Sequence, residues 1–231
     1  MLALTKRIIV AIDGPAGAGK STLAKRVAAR LSFIYIDTGA MYRAVALWAR
    51  RTGVEWTDHH RLEQLAQQAD IRLERDGRVL LNGEDVSAGI REPEISQGAS
   101  VVSAVSGVRR ALVAKQQEMG EIHSAVMEGR DIGTVVFPHA EVKVFLDATP
   151  EVRAQRRVAD LQARGLPADF EEVLREMKQR DDRDSTRPDS PLRQAPDATY
   201  LDSSHMDANQ VEEALLRIVR ERTSNGKEAH R

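Results

Sequence analysis

A glycine-rich segment between an apolar run and a helical pattern carries the first chemistry that this sequence suggests. The segment consists of Gly14, Pro15, Ala16, Gly17, Ala18, Gly19, Lys20, Ser21 and Thr22, and its first eight residues satisfy the Walker A pattern. Glycine-rich backbone curls its N–H groups around phosphates without steric cost, and a helix amino terminus adds positive dipole there. Lys20 would then contact the β and γ phosphates as a catalytic cation, and Ser21 would hold Mg²⁺. The segment therefore predicts an ATP-type triphosphate site.

Further clusters of charged and hydroxyl residues follow predicted strands or lie on predicted helices. They are Asp37–Arg43, Glu128–Asp131, the trio Arg153, Arg156 and Arg157, and the set Arg180, Asp184 and Arg187. The first two clusters follow apolar runs, and so lie at the carboxyl edge where open α/β sheets bind ligands. The last set shares one helix face if its helix continues to Arg187. Any one cluster could be a solvated helix face, but their joint placement favours an anion-binding rim.

Short apolar runs alternate with helical patterns along the chain, which predicts parallel strands joined by helices. Five runs have strand length: Ile8–Ile12, Phe33–Ile36, Ala125–Met127, Val142–Leu146 and Thr199–Leu201. Unbroken apolar runs suit strands that helices cover on both faces. We therefore predict a doubly wound α/β fold with five parallel strands, in which Asp37 or Thr38 caps the helix after the second strand.

The stretch from Ile71 to Ser87 breaks this alternation. Apolar and charged residues alternate there around two turn signals, Asp76-Gly77 and Asn82-Gly83, which predicts a small antiparallel insert. We expect one helix before it, near Leu62, and another that begins near Pro93. The 231 residues are predicted to form a single domain, with an inserted lobe at about 57–105 and a lid at about 153–167.

The composition excludes several classes of partner. Lys and Arg number 34 against 35 acidic residues, for a net charge of -1, and aromatic residues make up 4% of the chain. A neutral, aromatic-poor chain does not favour binding to nucleic acid or to an anionic membrane. There is no cysteine, and no apolar run reaches the length of a membrane span or a signal-peptide core. These features predict a cytoplasmic protein, which we expect to be a monomer.

Four motifs together resemble the bacterial cytidylate kinases, members of the P-loop nucleoside monophosphate kinases. The motifs are Ile12–Lys20, Asp37–Arg43, Glu128–Phe137 and Arg180–Asp184, in the family's order. The resemblance extends from about residue 8 to about residue 220, and it implies the P-loop kinase fold with an enlarged monophosphate-binding lobe and a helical lid. It also implies phosphoryl transfer from ATP, with Mg²⁺, to CMP and dCMP.

The resemblance also implies roles for individual residues. The CMP phosphate would be held by Thr38, Tyr42, Arg43, Arg130 and Arg187, the ribose by Arg180 and Asp184, and the base by Ser100, Arg109 and Asp131. The lid would contribute two catalytic arginines, Arg153 and Arg157. Cytosine presents an amino donor beside two acceptors, which a carboxylate with Arg and Ser donors would complement. Uracil would instead turn an acceptor towards Asp131 and leave a polar group unpaired.

Several alternatives remain open from the residues alone. Another P-loop kinase could phosphorylate a hydroxyl metabolite, with Asp37 as its base, and a nucleotide-dependent switch could use the same loop. The sequence lacks the Asn-Lys-x-Asp motif by which many switches read guanine. Asp131 could instead pair with Arg130 or cap a helix. Transfer to a phosphate needs no strong general base, since the acceptor oxygen is anionic near neutral pH, and all six histidines lie outside the motifs.

Overall fold

The chain divides into two compact units in a computed structural model that describes residues 7–228, with side chains for residues 7–224. We call Met1–Tyr35, His123–Thr186 and Ser190–Arg231 the sheet unit. Ile36–Ile122 and Arg187–Asp189 form the helical unit. The prediction of one domain with a lobe at about 57–105 and a lid at about 153–167 stays a prediction.

Eight helices and eight strands follow one another in the described part of the chain. In order they are β1 (Ile9–Asp13), α1 (Lys20–Leu31), β2 (Ile34–Asp37), α2 (Thr38–Arg51), α3 (His59–Gln68), β3 (Ile71–Leu73), β4 (Val79–Leu81), β5 (Glu84–Asp85), α4 (Pro93–Val102), α5 (Ser106–Ile122), β6 (Ala125–Gly129), β7 (Val142–Asp147), α6 (Pro150–Ala163), α7 (Phe170–Thr186), β8 (Thr199–Asp202) and α8 (Ala208–Glu228). A 3₁₀ turn at Gly89–Arg91 and a π-helical turn at Ile132–Val136 complete the set.

The main sheet has five strands in the order β2-β6-β1-β7-β8. Strand β1 pairs in parallel with β6 and β7, and β7 pairs in parallel with β8. Every residue of β1 is buried, which explains why its first four residues, Ile9 to Ile12, are apolar without alternation. Val10 and Ile12 share a core with Leu23 of α1 and Leu215 of α8. The predicted doubly wound α/β fold with five parallel strands is confirmed.

The helical unit contains a second, antiparallel sheet in the order β3-β4-β5. Ile71 pairs with Leu81 across the first two strands. The turn that follows β4 places Asn82 at φ 51° and Gly83 at φ 85°, the left-handed conformations that an Asn-Gly hairpin turn requires. The predicted antiparallel insert is therefore confirmed. Helices α2 to α5 supply most of this unit's core.

Helices α6 and α7 form a hairpin within the sheet unit, with a small apolar core of their own. Ala154 and Leu161 of α6 pack against Val173 and Met177 of α7 in this core. Helix α7 ends at Thr186, so the condition under which Arg187 would share a helix face with Arg180 and Asp184 is not met.

No helix in the described range 7–228 is both long enough and apolar enough to span a membrane.

Candidate active site

The phosphate-binding loop of the sheet unit turns tightly between β1 and α1. Gly14 adopts φ 149°, and a Cβ atom there would lie 1.9 Å from the carbonyl oxygen of Leu146 on β7. Gly17 adopts φ 76°, and a Cβ atom there would lie 2.7 Å from Cε of Met177. Gly19 adopts a left-handed conformation as the N-cap of α1. Only glycine tolerates such close approaches and dihedral angles, so the loop's composition follows from its geometry.

Lys20 is buried at the first position of α1, in a cationic environment. Its side chain is 6% exposed, and its Nζ donates a hydrogen bond to the carbonyl oxygen of Pro15 at 2.6 Å. Burial, and then the charge of Arg130, lowers the pKa of Lys20 to about 7, although Glu128 opposes this shift. Arg180 contributes in the same direction as Arg130. An anion bound beside Lys20 would restore its charge, because a nearby negative charge favours the protonated amine.

A cavity of about 610 Å³ lies beside this loop and is lined entirely by residues of the sheet unit. Residues 17–22 supply backbone and hydroxyl groups to its wall, while Leu146, Met206 and Val211 supply apolar surface. Arg156 and Arg157 of α6 line it as well. The volume is typical of small-molecule sites, and the mixture of amide, cationic and apolar groups suits a nucleotide.

Arg153, the first arginine of α6, is buried and holds the loop. Its side chain is 5% exposed, and its guanidinium donates to the carbonyl oxygens of Ala148 at 2.9 Å and Ala16 at 3.0 Å. It also forms an ion pair with Asp181 of α7, at 2.6 Å. Arg153 therefore links the phosphate loop to both helices of the hairpin.

Arg156 and Arg157 have more exposed positions on the same helix. Arg156 donates to the carbonyl oxygen of Ser203 at 2.7 Å and to that of Ala18 at 3.3 Å. Arg157 pairs with Asp160 at 3.1 Å, and its side chain is 31% exposed. Sequence reasoning placed Arg156 in the arginine cluster of α6 without giving it a role, and it did not select Ser203, for which the Asp-Ser-Ser segment at the end of β8 was a signal.

Charged side chains collect at the carboxyl end of β6. Glu128 is buried and accepts a hydrogen bond from the hydroxyl of Tyr35 at 2.5 Å. Arg130 forms an ion pair with Asp184 of α7 at 2.9 Å. Burial works against the charge of Arg130, but Asp184, Asp181 and Glu128 together raise the pKa of this guanidinium. Asp131 is 4% exposed, and within residues 7–228 it makes no side-chain capping hydrogen bond to the π-helical turn that follows it.

The helical unit brings together two smaller groups of the predicted residues. The guanidinium of Arg109 lies 5.5 Å from the ring centroid of Tyr42 and donates to the carbonyl oxygen of Ser103 at 3.1 Å. The hydroxyl of Ser103 in turn donates to the carbonyl oxygen of Ser100 at 2.9 Å. Tyr42, Ser100 and Arg109 thus form one buried cluster.

The second group surrounds the start of α2. Asp37 is the N-cap, as one of the two expected caps, and its carboxylate accepts from the backbone N–H of Ala40 at 2.9 Å. Its other oxygen pairs with Arg43 at 2.8 Å. Thr38 is buried at the first position of the helix. Arg187, also buried, follows the end of α7 and belongs to the helical unit.

The fold and the phosphate loop define this protein first by class, as a P-loop protein with a doubly wound α/β fold. A solved gluconokinase from Sinorhizobium meliloti shares the fold at 16% identity and a TM-score of 0.50, covering 97% of this chain and 98% of its own. An uncharacterised protein from Eubacterium ventriosum does so at 15% identity and a TM-score of 0.52, covering 95% of this chain and 99% of its own.

Within that class, sequence similarity identifies the family. The cytidylate kinase family model matches residues 10–221. A cytidylate kinase from Solibacter usitatus is 60% identical over 225 residues, which cover 96% of this chain and 97% of that protein. A cytidylate kinase from Syntrophotalea carbinolica is 50% identical over 222 residues, which cover 95% and 94%. The chain belongs to the cytidylate kinase family, as the sequence motifs predicted.

Proposed function

We propose that this protein transfers the γ-phosphoryl group of ATP to CMP, forming ADP and CDP, and that it accepts dCMP as well. The observation that carries the proposal is the family match over residues 10–221, which includes the whole phosphate loop. The buried lysine, the glycine geometry and the cavity of about 610 Å³ support the binding of ATP, because P-loop enzymes hold a triphosphate with a glycine-rich loop and its lysine.

ATP would bind at the phosphate loop, with its phosphates on the amide groups of residues 14–22 and on Lys20. The exposed hydroxyl of Ser21 lines the cavity in the first turn of α1, and a single hard oxygen there suits Mg²⁺. The described residues contain no cluster of three acidic or histidine side chains that could hold a metal ion. Phosphate and water oxygens would therefore complete the coordination, as is usual for Mg²⁺, which neutralises charge on the triphosphate.

CMP would be bound by the ten residues that the family resemblance implies. They are Thr38, Tyr42, Arg43, Ser100, Arg109, Arg130, Asp131, Arg180, Asp184 and Arg187. Most of these side chains are buried and several are already held by ion pairs or hydrogen bonds, so little ordering is needed on binding. Asp131 would accept from the cytosine amino group.

The reaction itself would depend on alignment and charge. A phosphate oxygen of CMP attacks the γ-phosphorus in line, and the bond to the bridging oxygen of ADP breaks. Lys20 and the lid arginines Arg153 and Arg157 would offset the negative charge that redistributes in the transition state. The segment at about 153–167 would close over the site to exclude water and prevent hydrolysis of ATP.

We also propose that the protein works in the cytoplasm, as a monomer, on small nucleotides rather than nucleic acid. Its net charge of -1 gives no extended cationic field. The rival role of Asp37, as base for a hydroxyl acceptor, is disfavoured because both of its oxygens already accept hydrogen bonds, from Ala40 and Arg43.

An acceptor panel tests the proposal. Purified protein is incubated with radiolabelled ATP, Mg²⁺ and one acceptor at a time, namely CMP, dCMP, UMP, AMP or a hydroxyl metabolite, and ADP and labelled product are quantified. Lys20→Ala serves as the matched inactive control. CMP should give the highest kcat/KM. If CMP yields no more ADP than the reaction without acceptor, while a hydroxyl metabolite does, the assignment is wrong; tight nucleotide binding without turnover would instead indicate a switch.

A further inference from the structure

Asp13, the residue before the phosphate loop, makes a contact that the proposed reaction does not explain. It ends β1, and its side chain is only 5% exposed. One carboxylate oxygen accepts a hydrogen bond from the backbone N–H of Ile132 and the other from that of Gly133, each at 2.8 Å. A buried carboxylate that accepts two backbone donors, 119 and 120 residues away, fixes the main chain at those positions.

The two N–H groups belong to the turn that carries Asp131. Ile132 and Gly133 begin the π-helical turn Ile132–Val136, and the first N–H groups of such a turn have no partner within it. Asp131, at the N-cap position, uses its backbone rather than its side chain in the turn: its carbonyl oxygen accepts from Val135 at 2.9 Å and Val136 at 3.1 Å. Asp13 thus performs the capping that Asp131 would otherwise perform.

A second side chain tightens the same turn. Gly133 is packed so closely that a Cβ atom there would lie 3.1 Å from Cδ of Lys143 and 3.4 Å from a carboxylate oxygen of Asp13. Lys143 is itself fixed, because its Nζ pairs with Asp197 at 2.8 Å. The turn is therefore packed on two sides, against the carboxylate of Asp13 and against the side-chain carbons of Lys143.

Burying the negative charge of Asp13 at this position is electrostatically unfavourable. Burial raises the pKa of Asp13 to about 6, and the nearby charge of Asp131 adds to this effect, while the two backbone donors and Lys20 oppose it. Capping a turn with a buried carboxylate lowers the free energy of unfolding, because burial disfavours the ionised form. Such groups are commonly retained where function requires their geometry.

We infer that Asp13 is a positioning residue for acceptor specificity: it fixes the main chain at Ile132 and Gly133, and thereby aims the Asp131 carboxylate at the amino group of cytosine. The inference rests on the proposed function, because it needs Asp131 to read the base. Asp13 also connects the phosphate loop to the π-helical turn. It precedes Gly14 of that loop in the chain, and its side chain binds the first two N–H groups of the turn.

Asp13→Asn tests the inference, because an asparagine offers one acceptor oxygen and places an amide donor against the second backbone N–H. Glu141→Gln is the matched control: Glu141 accepts from the backbone N–H of Ile9 at 3.0 Å, at the opposite end of β1. The measurements are kcat/KM for CMP and for UMP, ATP affinity by fluorescent-analogue displacement, and a thermal melt of each variant.

We expect Asp13→Asn to lower the CMP to UMP ratio of kcat/KM by roughly tenfold, about the worth of one well-placed hydrogen bond. The ratio should stay unchanged in Glu141→Gln. Because Asp13 acts through Asp131, adding Asp13→Asn to Asp131→Ala should change the ratio no further. An equal loss of kcat/KM for CMP and UMP in Asp13→Asn would show a merely structural role and overturn the inference.

A second variant keeps the test decisive if Asp13→Asn does not fold. Gly133→Ala retains the carboxylates of Asp13 and Asp131, but its methyl group would crowd Lys143 and displace the turn. It should therefore also lower the ratio of kcat/KM for CMP to that for UMP. An unchanged ratio in a folded Gly133→Ala protein would overturn the inference as well. Failure of the proposed function is distinguishable, since wild-type protein would then show no preference for CMP in the first place.

Discussion

The contacts of Arg153 predict that it contributes far more to stability than its neighbour Arg157. In Arg153→Ala the carbonyl oxygens of Ala148 and Ala16 lose their donor, and Asp181 loses an ion-pair partner at 2.6 Å. Removing one partner of a buried ion pair costs about 3–5 kcal/mol. The side chain of Asp181 is 21% exposed, and water can partly replace its partner, so we take the lower end of that range, about 3 kcal/mol.

Arg157→Ala is the matched control, since it removes the same side chain from the same helix. Among residues 7–228 its guanidinium pairs with one carboxylate, that of Asp160 three residues away, and the two side chains are 31% and 59% exposed. Exposed pairs of this kind contribute about 0.5 kcal/mol or less. Differences in helix propensity cancel between the two variants, because both replace arginine by alanine on α6.

Urea unfolding followed by circular dichroism measures both effects, with thermal melts as a second readout. For a chain of this size, about 3 kcal/mol corresponds to a fall in Tm of roughly 6–12 °C, and Arg157→Ala should lower Tm by no more than about 2 °C. Arg157→Ala should nevertheless lower kcat if its guanidinium reaches the transferring phosphoryl group. Equal free energies of unfolding for the two variants would refute the reasoning, because the buried contacts of Arg153 would then contribute no more to stability than the exposed pair of Arg157.

Three further predictions concern the ionisable groups of the site. Because the pKa of Lys20 is about 7 and ATP should raise it, binding at pH 8 should take up close to one proton, visible by calorimetry in two buffers of different ionisation enthalpy. Lys20→Ala should abolish that uptake and mainly lower kcat; identical heats in both buffers for wild type would contradict this. Asp131→Ala should raise KM for CMP and shrink the preference over UMP, and an unchanged ratio would remove Asp131 from base reading. The pKa of Asp13 is raised from 3.8 to about 6, so its contribution to stability is present below pH 3.8 and is lost as pH rises through 6. The stability of wild type relative to Asp13→Asn should therefore fall by up to about 3 kcal/mol between pH 4 and pH 7, measured by urea unfolding at several pH values, and a flat difference would refute the shift.

The phosphate loop, the family and the five strands of the main sheet were all predictable from the order of residues. Residues 14–21 between an apolar run and a helical pattern were sufficient for the phosphate loop, because strand, turn and helix are local features with local signatures. The five apolar runs became the five strands of the main sheet, and the Asn82-Gly83 pair became a hairpin turn. A strand that is buried on both faces requires apolar residues, and a left-handed hairpin turn favours Asn-Gly. Each of these structures can therefore be predicted from residue type.

The pairing of the charged side chains, in contrast, became visible only in the folded chain. No feature of the sequence distinguishes Arg153 from Arg157. In the structure Arg153 is buried against the phosphate loop, whereas Arg157 lines the cavity. Helix α7 ends at Thr186, one residue before the predicted face would have included Arg187. Asp13 meets Ile132 and Gly133 across more than a hundred residues of chain. A hydrogen bond of that kind depends on strand order and register, which no local pattern of residues specifies.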